Sequence, residues 1–200
     1  VDRTAEVRWF FRGSPPAAVA AWFDAAAAQP PQIRSDAYLV LTGTDALGVK
    51  VRGGTANLEF KLRPRPPEPL PLPLPVDAGG QLEQWQRWSF ARPALSRLVP
   101  RLGLPKARWR TVRKERRLVT LPYGGRSDAG CRVELTALEV DGSRWSTVGF
   151  ESYGPDDDLV PALRSAAERF FGSLAADLPG LPGGLGAERS CGYPGWLATL

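Results

Sequence analysis

Apolar and basic side chains alternate one by one through VKVR at 49–52 and again through LEFKLR at 58–63. A period of two puts Val49 and Val51 on one face of a strand and Lys50 and Arg52 on the other. Leu58, Phe60 and Leu62 likewise oppose Glu59, Lys61 and Arg63. Gly53-Gly54, between the two runs, predicts a hairpin turn. Upstream, AEVRWFF at 5–11 predicts a strand that Gly13 ends. Ser14-Pro15-Pro16 then reads as a cap and first turn of a helix. That helix runs to about Ala28, where Gln29-Pro30-Pro31 stops it, and Trp22 and Phe23 are its expected anchors. A further strand spans about Ala37–Leu41.

The second half repeats the theme after an interruption. Residues 64–76 are so rich in proline that they predict a stiff, extended loop rather than a sheet interior. QLEQWQRWSF at 81–90 fits a strand or a short helix, and PALSRLVPRL at 93–102 fits a helix. WRTVRKERRLVTL, CRVELTALEV and RWSTVGFES predict three long strands, joined by turns at Gly124-Gly125 and Asp141-Gly142. From Pro155 a helix begins, with Asp156, Asp157 and Asp158 at its positive end. Its apolar stripe is Leu159, Leu163, Ala166, Phe170 and Leu174. The expected organisation is one domain over 1–178 and an irregular C-terminal tail over 179–200, with Trp196 tucked against the body. The fold class is α+β, mainly antiparallel β.

Composition narrows the chemistry more than the fold. The chain has 200 residues, a net charge of +5 and no histidine. Its pI is near 9.6. Nucleic acid, a phosphate compound or an anionic membrane surface would suit that charge. Without histidine there is no Ser-His-Asp or Cys-His nucleophile and no histidine metal ligand or base. Cys131 and Cys191 lie too far apart for a metal motif, so neither zinc, nor haem, nor a disulfide framework is expected. No stretch has the length of a membrane-spanning helix and no signal-peptide pattern opens the chain, which makes the cytoplasm the default compartment.

Twenty-two arginines stand against four lysines, and Lys50, Lys61 and Lys114 fall within predicted strands. Charge on one strand face recurs at Lys50/Arg52, Lys61/Arg63, Lys114/Arg116 and Arg132/Glu134. Two arrangements satisfy this. The charges could form a solvated outer face, or they could line a tunnel whose apolar exterior is covered by the two helices. The seven tryptophans and the RTVRKERR run also permit a nucleic-acid surface. Core packing explains the former and a strand the latter, so nucleic acid is the lesser candidate.

A glutamate-bearing first strand, a helix, a tyrosine-containing strand, L-x-V-K-V-R, L-E-F-K-L-R, the basic RTVRKERR strand and the hairpin VELTALEVDG…WSTVGFES follow in that order. Over about Ala5–Ala176 this resembles the CYTH, or triphosphate tunnel metalloenzyme, superfamily. The resemblance implies an eight-stranded antiparallel tunnel with a helix after the first strand and a C-terminal helix. Basic residues would hold a triphosphate, and glutamates would hold Mg²⁺ or Mn²⁺. Glu6 matches the first glutamate of the family's E-x-E-x-K, and Lys50, Arg52 and Lys61 match its phosphate-contacting positions. Arg113 or Lys114, with Arg116 or Arg117, matches the later basic strand. Arg8 and Arg132 join the anion-binding set. Glu134, with Glu6 and Glu151, forms the implied metal set.

The departures bear on function. Arg8 and Phe10 replace a carboxylate and a lysine of the family motif, and Thr147 and Gly149 stand where carboxylates are expected. The expectation is a CYTH-like protein that binds triphosphate, polyphosphate or a nucleotide, with weakened or lost phosphohydrolase activity. The alternatives are a metal-dependent triphosphatase or polyphosphatase, and a protein- or nucleic-acid-binding module without catalysis. In the last case the Pro-rich loop is a candidate protein contact.

Overall fold

Ala5, Val7, Trp9 and Phe11 of strand β1 (Asp2–Arg12) join one apolar cluster, whereas Thr4, Glu6, Arg8 and Phe10 face away from it. The same division runs through the whole sheet of the computed structural model, which describes residues 1–26, 29–55, 57–71, 79–91, 108–174 and 185–200. After β1 come α1 (Ala17–Ala26), β2 (Gln32–Val40), β3 (Leu47–Val51), β4 (Leu58–Leu62) and β5 (Glu68–Pro71). Then follow β6 (Gly79–Phe90), β7 (Arg108–Tyr123), β8 (Arg126–Val140), β9 (Ser143–Tyr153), α2 (Asp156–Leu174) and α3 (Tyr193–Ala198).

The strands run in the order β1-β9-β8-β7-β2-β3-β4-β6, and β6 returns to pair with β1. This closes an eight-stranded antiparallel barrel, with β5 added to the free half of β6. Closure leaves few sheet edges unpaired. The β8–β9 hairpin turns on Asp141 and Gly142, both at positive φ, as a two-residue turn between twisted strands requires.

One side of the exterior is covered by helix. Leu159, Leu163, Ala166, Phe170 and Leu174 of α2 are all buried, as the stripe in the sequence predicts. They pack with Phe23 of α1 against Val7, Trp9, Val133, Val148 and Phe150. Each such side chain taken fully out of water contributes roughly 1.5–3 kcal/mol. The apolar strand faces are therefore spent on the outside of the barrel, which leaves the polar faces for the inside.

Several boundaries differ from expectation. The strand around Tyr38 begins at Gln32, because pairing with β7 extends it through Ile33 and Arg34. The ambiguous 81–90 segment is a strand, held on both sides by β1 and β4. Within the Pro-rich segment, Glu68–Pro71 pairs with Gly79–Leu82 of β6 at the sheet's edge, where missing amide hydrogens are tolerated. The remainder, 72–76, and the helix expected over 93–102 lie outside the described residues.

The C-terminal tail, expected to be irregular, contains a 3₁₀ turn (Ala187–Arg189) and the helix α3. The reason lies in the barrel seam. β6 pairs with β1 only over Asp2–Glu6, so the backbone of β1 beyond Glu6 has a free edge on that side. Ser190 bridges to Trp9 there, and the Cys191 amide donates to the Arg8 carbonyl at 3.0 Å. Backbone groups that would be stranded in the wall are thereby satisfied. Among the described residues both cysteines are free thiols, and no helix is long and apolar enough to cross a membrane.

Candidate functional site

Strand parity directs Glu6 and Arg8 (β1), Arg34 and Tyr38 (β2), Lys50 and Arg52 (β3), and Glu59 and Lys61 (β4) into the barrel. Lys114 and Arg116 (β7), Arg132 and Glu134 (β8) and Glu151 (β9) come in from the opposite wall, and Arg87 of β6 completes the ring. They enclose a cavity of about 300 Å³.

The cavity is closed at one end by the tail. Trp196 stacks on Phe10 with ring centres 4.5 Å apart, and Trp145 meets it edge-on. Tyr193 stacks on Tyr38 at 5.3 Å, and Val112, Leu138, Val140 and Leu197 fill the remaining volume. Exposure rises away from this plug. The side chain of Lys114 is 4% exposed and that of Arg8 7%, rising to 22% for Lys61 and 39% for Arg132. The site is a cup, deepest at Lys114 and Arg8.

Among the described residues, nine cationic side chains line the cup, against the four glutamates and the buried Asp36 at its wall. Nearly every carboxylate serves two cations. Asp36 lies 3.2 Å from Arg34 and 3.6 Å from Lys114, and Glu59 lies 3.0 Å from Lys50 and 3.1 Å from Arg52. Glu134 lies 2.9 Å from Arg8 and 3.3 Å from Arg116; Glu151 lies 3.8 Å from Lys61 and 3.6 Å from Arg132. Glu6 pairs with Lys61 and accepts from the Thr4 hydroxyl. The ninth cation, Arg87, pairs with the exposed Asp2 at 2.7 Å. The carboxylates hold the cations apart and in place, and a surplus of three positive charges remains.

Protonation follows from this packing. Burial by itself would raise the Glu134 carboxyl, but Arg8, Arg116 and Lys114 hold it well below the ordinary carboxylate range. Asp36 and Glu59 are lowered in the same way, against burial, by Lys114 and Lys50 respectively. Burial pushes Lys114 well below its usual value, and nearby Lys50 adds to the effect. Its ammonium donates to the Tyr38 hydroxyl at 2.5 Å.

Most residues singled out in the sequence meet in the cup: Arg8, Lys50, Arg52, Lys61, Lys114, Arg116 and Arg132, with Glu6, Glu134 and Glu151. Arg113 does not. It is exposed on the outer face of β7, and Arg117 pairs outside with Asp24 of α1. Sequence reading passed over Arg34, Asp36 and Tyr38, although extending the alternation back along β2 would have found them. It also gave no role to Tyr193, for which no local signal exists.

The implied Mg²⁺ or Mn²⁺ does not fit this donor set. Such an ion needs converging oxygen ligands in near-octahedral array. Glu6, Glu134 and Glu151 are each already engaged by lysine or arginine. Among the described residues no group of three acidic, cysteine or histidine side chains is arranged to hold a metal. Arg8 and Gly149, directly opposite each other on β1 and β9, supply no oxygen ligand.

No family model matches the sequence, and no curated protein is similar to it. Solved structures do resemble the fold. A chain of the Schizosaccharomyces pombe Mediator head module aligns at 9% identity and TM-score 0.53, over 87% of this chain and 95% of that one. HpAC1 from Hippeastrum, described as having a dominant triphosphatase activity, aligns at 12% identity and TM-score 0.46, over 86% and 87%. A conserved hypothetical protein from Pyrococcus furiosus aligns at 14% and 0.46, over 84% and 90%. At these identities the likeness is one of fold. Inside the barrel of this chain, Arg8 and Gly149 stand opposite each other, at positions where the sequence resemblance implies carboxylates.

Proposed function

We propose that this CYTH-like protein is a receptor for a phosphate-rich anion: triphosphate, a polyphosphate end or a nucleoside triphosphate. The observation that carries the reading is the gathering of nine cations around one cup, eight of them paired with five carboxylates. Its surplus of three charges matches an oligophosphate better than a single phosphate. Arginine forks and lysine ammoniums arrayed on rigid strands suit phosphoryl oxygens, and desolvation in the cup strengthens each contact. Carboxylates that are each engaged by lysine or arginine favour binding over hydrolysis.

The test is calorimetric titration of the full chain with inorganic tripolyphosphate and with ATP, while released phosphate is assayed in the same samples. Saturable binding without phosphate release supports a receptor. Turnover would replace the receptor by a phosphohydrolase, and absence of binding to either anion would overturn the proposal.

A further inference from the structure

Arg8 and Gly149 are cross-strand partners, and the guanidinium lies flat on the glycine. A Cβ at position 149 would fall 2.6 Å from Arg8 Cζ and 2.7 Å from Nη2, closer than atoms approach. Any side chain there, a carboxylate included, would exclude the guanidinium. Arg8 Nη1 donates to Glu134 at 2.9 Å and lies 3.4 Å from the Thr147 hydroxyl, and Cζ stands 5.1 Å from the Tyr193 ring centre. Both of its side-chain hydrogen bonds among the described residues use Nη1, which leaves Nη2 for a ligand oxygen.

We infer that Arg8, seated on Gly149 and anchored by Glu134, is a built-in cation in place of a divalent metal, so that the cup takes the metal-free oligophosphate and Mg²⁺ competes against binding. The inference rests on the anion-receptor reading and adds the ionic form of the ligand. The charge argument is direct. A divalent ion entering the cup adds to a surplus that is already positive and meets carboxylates that are already paired. A Mg²⁺-complexed oligophosphate arrives with two fewer negative charges for the nine cations to meet.

Tripolyphosphate is titrated into the full chain in EDTA and then in Mg²⁺ sufficient to complex it. The expected result is binding in EDTA and an apparent affinity about tenfold or more weaker in Mg²⁺. Binding that requires or is strengthened by Mg²⁺ overturns the inference and leaves the receptor reading standing. Failure to bind in either buffer removes both. Gly149→Ala, with its fold checked by circular dichroism, is expected to lose about tenfold or more of the EDTA affinity by displacing the guanidinium. Full affinity in a folded Gly149→Ala protein also overturns the inference. If that variant does not fold, the wild-type comparison decides.

Discussion

The Lys114 ammonium stands 3.7 Å from the centre of the Tyr193 ring, which the C-terminal tail delivers from nearly eighty residues away. A cation on an aromatic face gains electrostatic attraction, more so when both are desolvated. The tail is therefore part of the cup's floor as well as its closure.

The floor is held by packing and not by the Tyr193 hydroxyl, which is buried with no hydrogen-bond partner among the described residues. Tyr193→Phe should leave stability within about 1 kcal/mol of wild type or raise it. Trp196→Ala removes the ring stacked on Phe10 and should cost about 3–5 kcal/mol. Urea unfolding of the two variants measures both.

Glu134 is held below its ordinary value of 4.5, so its contribution to stability is complete above that pH. It is lost as pH falls through the lower, folded-state value. Asp36, Glu59 and Glu151 act in the same direction; Glu83, raised chiefly by burial, opposes them. Melting temperature should fall steadily below about pH 4.5. Glu134→Gln should flatten that decline and cost about 3–5 kcal/mol at neutral pH, because Arg8 and Arg116 lose their counter-ion. Thermal melts from pH 7 to pH 2 check both effects.

Lys114 is lowered from 10.5, so the folded state binds its proton less readily than the unfolded chain does. The resulting penalty is present at neutral pH and fades as pH rises towards 10.5, which makes stability climb on the alkaline side. Lys114→Met relieves that penalty but leaves buried Asp36 with Arg34 alone, so the free protein should lose stability, by up to about 3–5 kcal/mol. The substitution should also weaken tripolyphosphate binding about tenfold or more, as calorimetric titration reads.

The turn between β3 and β4 separates two adjacent glycines by mechanism. A Cβ on Gly53 would fall 1.9 Å from the Ser35 carbonyl oxygen, whereas Gly54, at φ +83°, faces open space. Gly53 also donates its amide to Asp36 at 3.1 Å, tying the turn to the cup. Gly53→Ala should cost more than about 3 kcal/mol, and Gly54→Ala about 1–2 kcal/mol. Denaturation midpoints of the two variants test the difference.

The alternations at 49–52 and 58–63 determined that Lys50, Arg52 and Lys61 share one strand face, because a period of two is a local property of the backbone. The α2 stripe and the Asp141-Gly142 turn were legible for the same reason. Which face is inside was not local. It was decided when β6 closed on β1 and when α1 and α2 covered the apolar exterior. That pairing also settled the parity of β7, turning Lys114 inward and Arg113 outward. The pairing of most carboxylates with two cations, the seating of Arg8 on Gly149 and the plug made by Tyr193 and Trp196 join residues far apart in the chain. No pattern along the sequence encodes such contacts, since they exist only once strands from both halves and the tail share one interior.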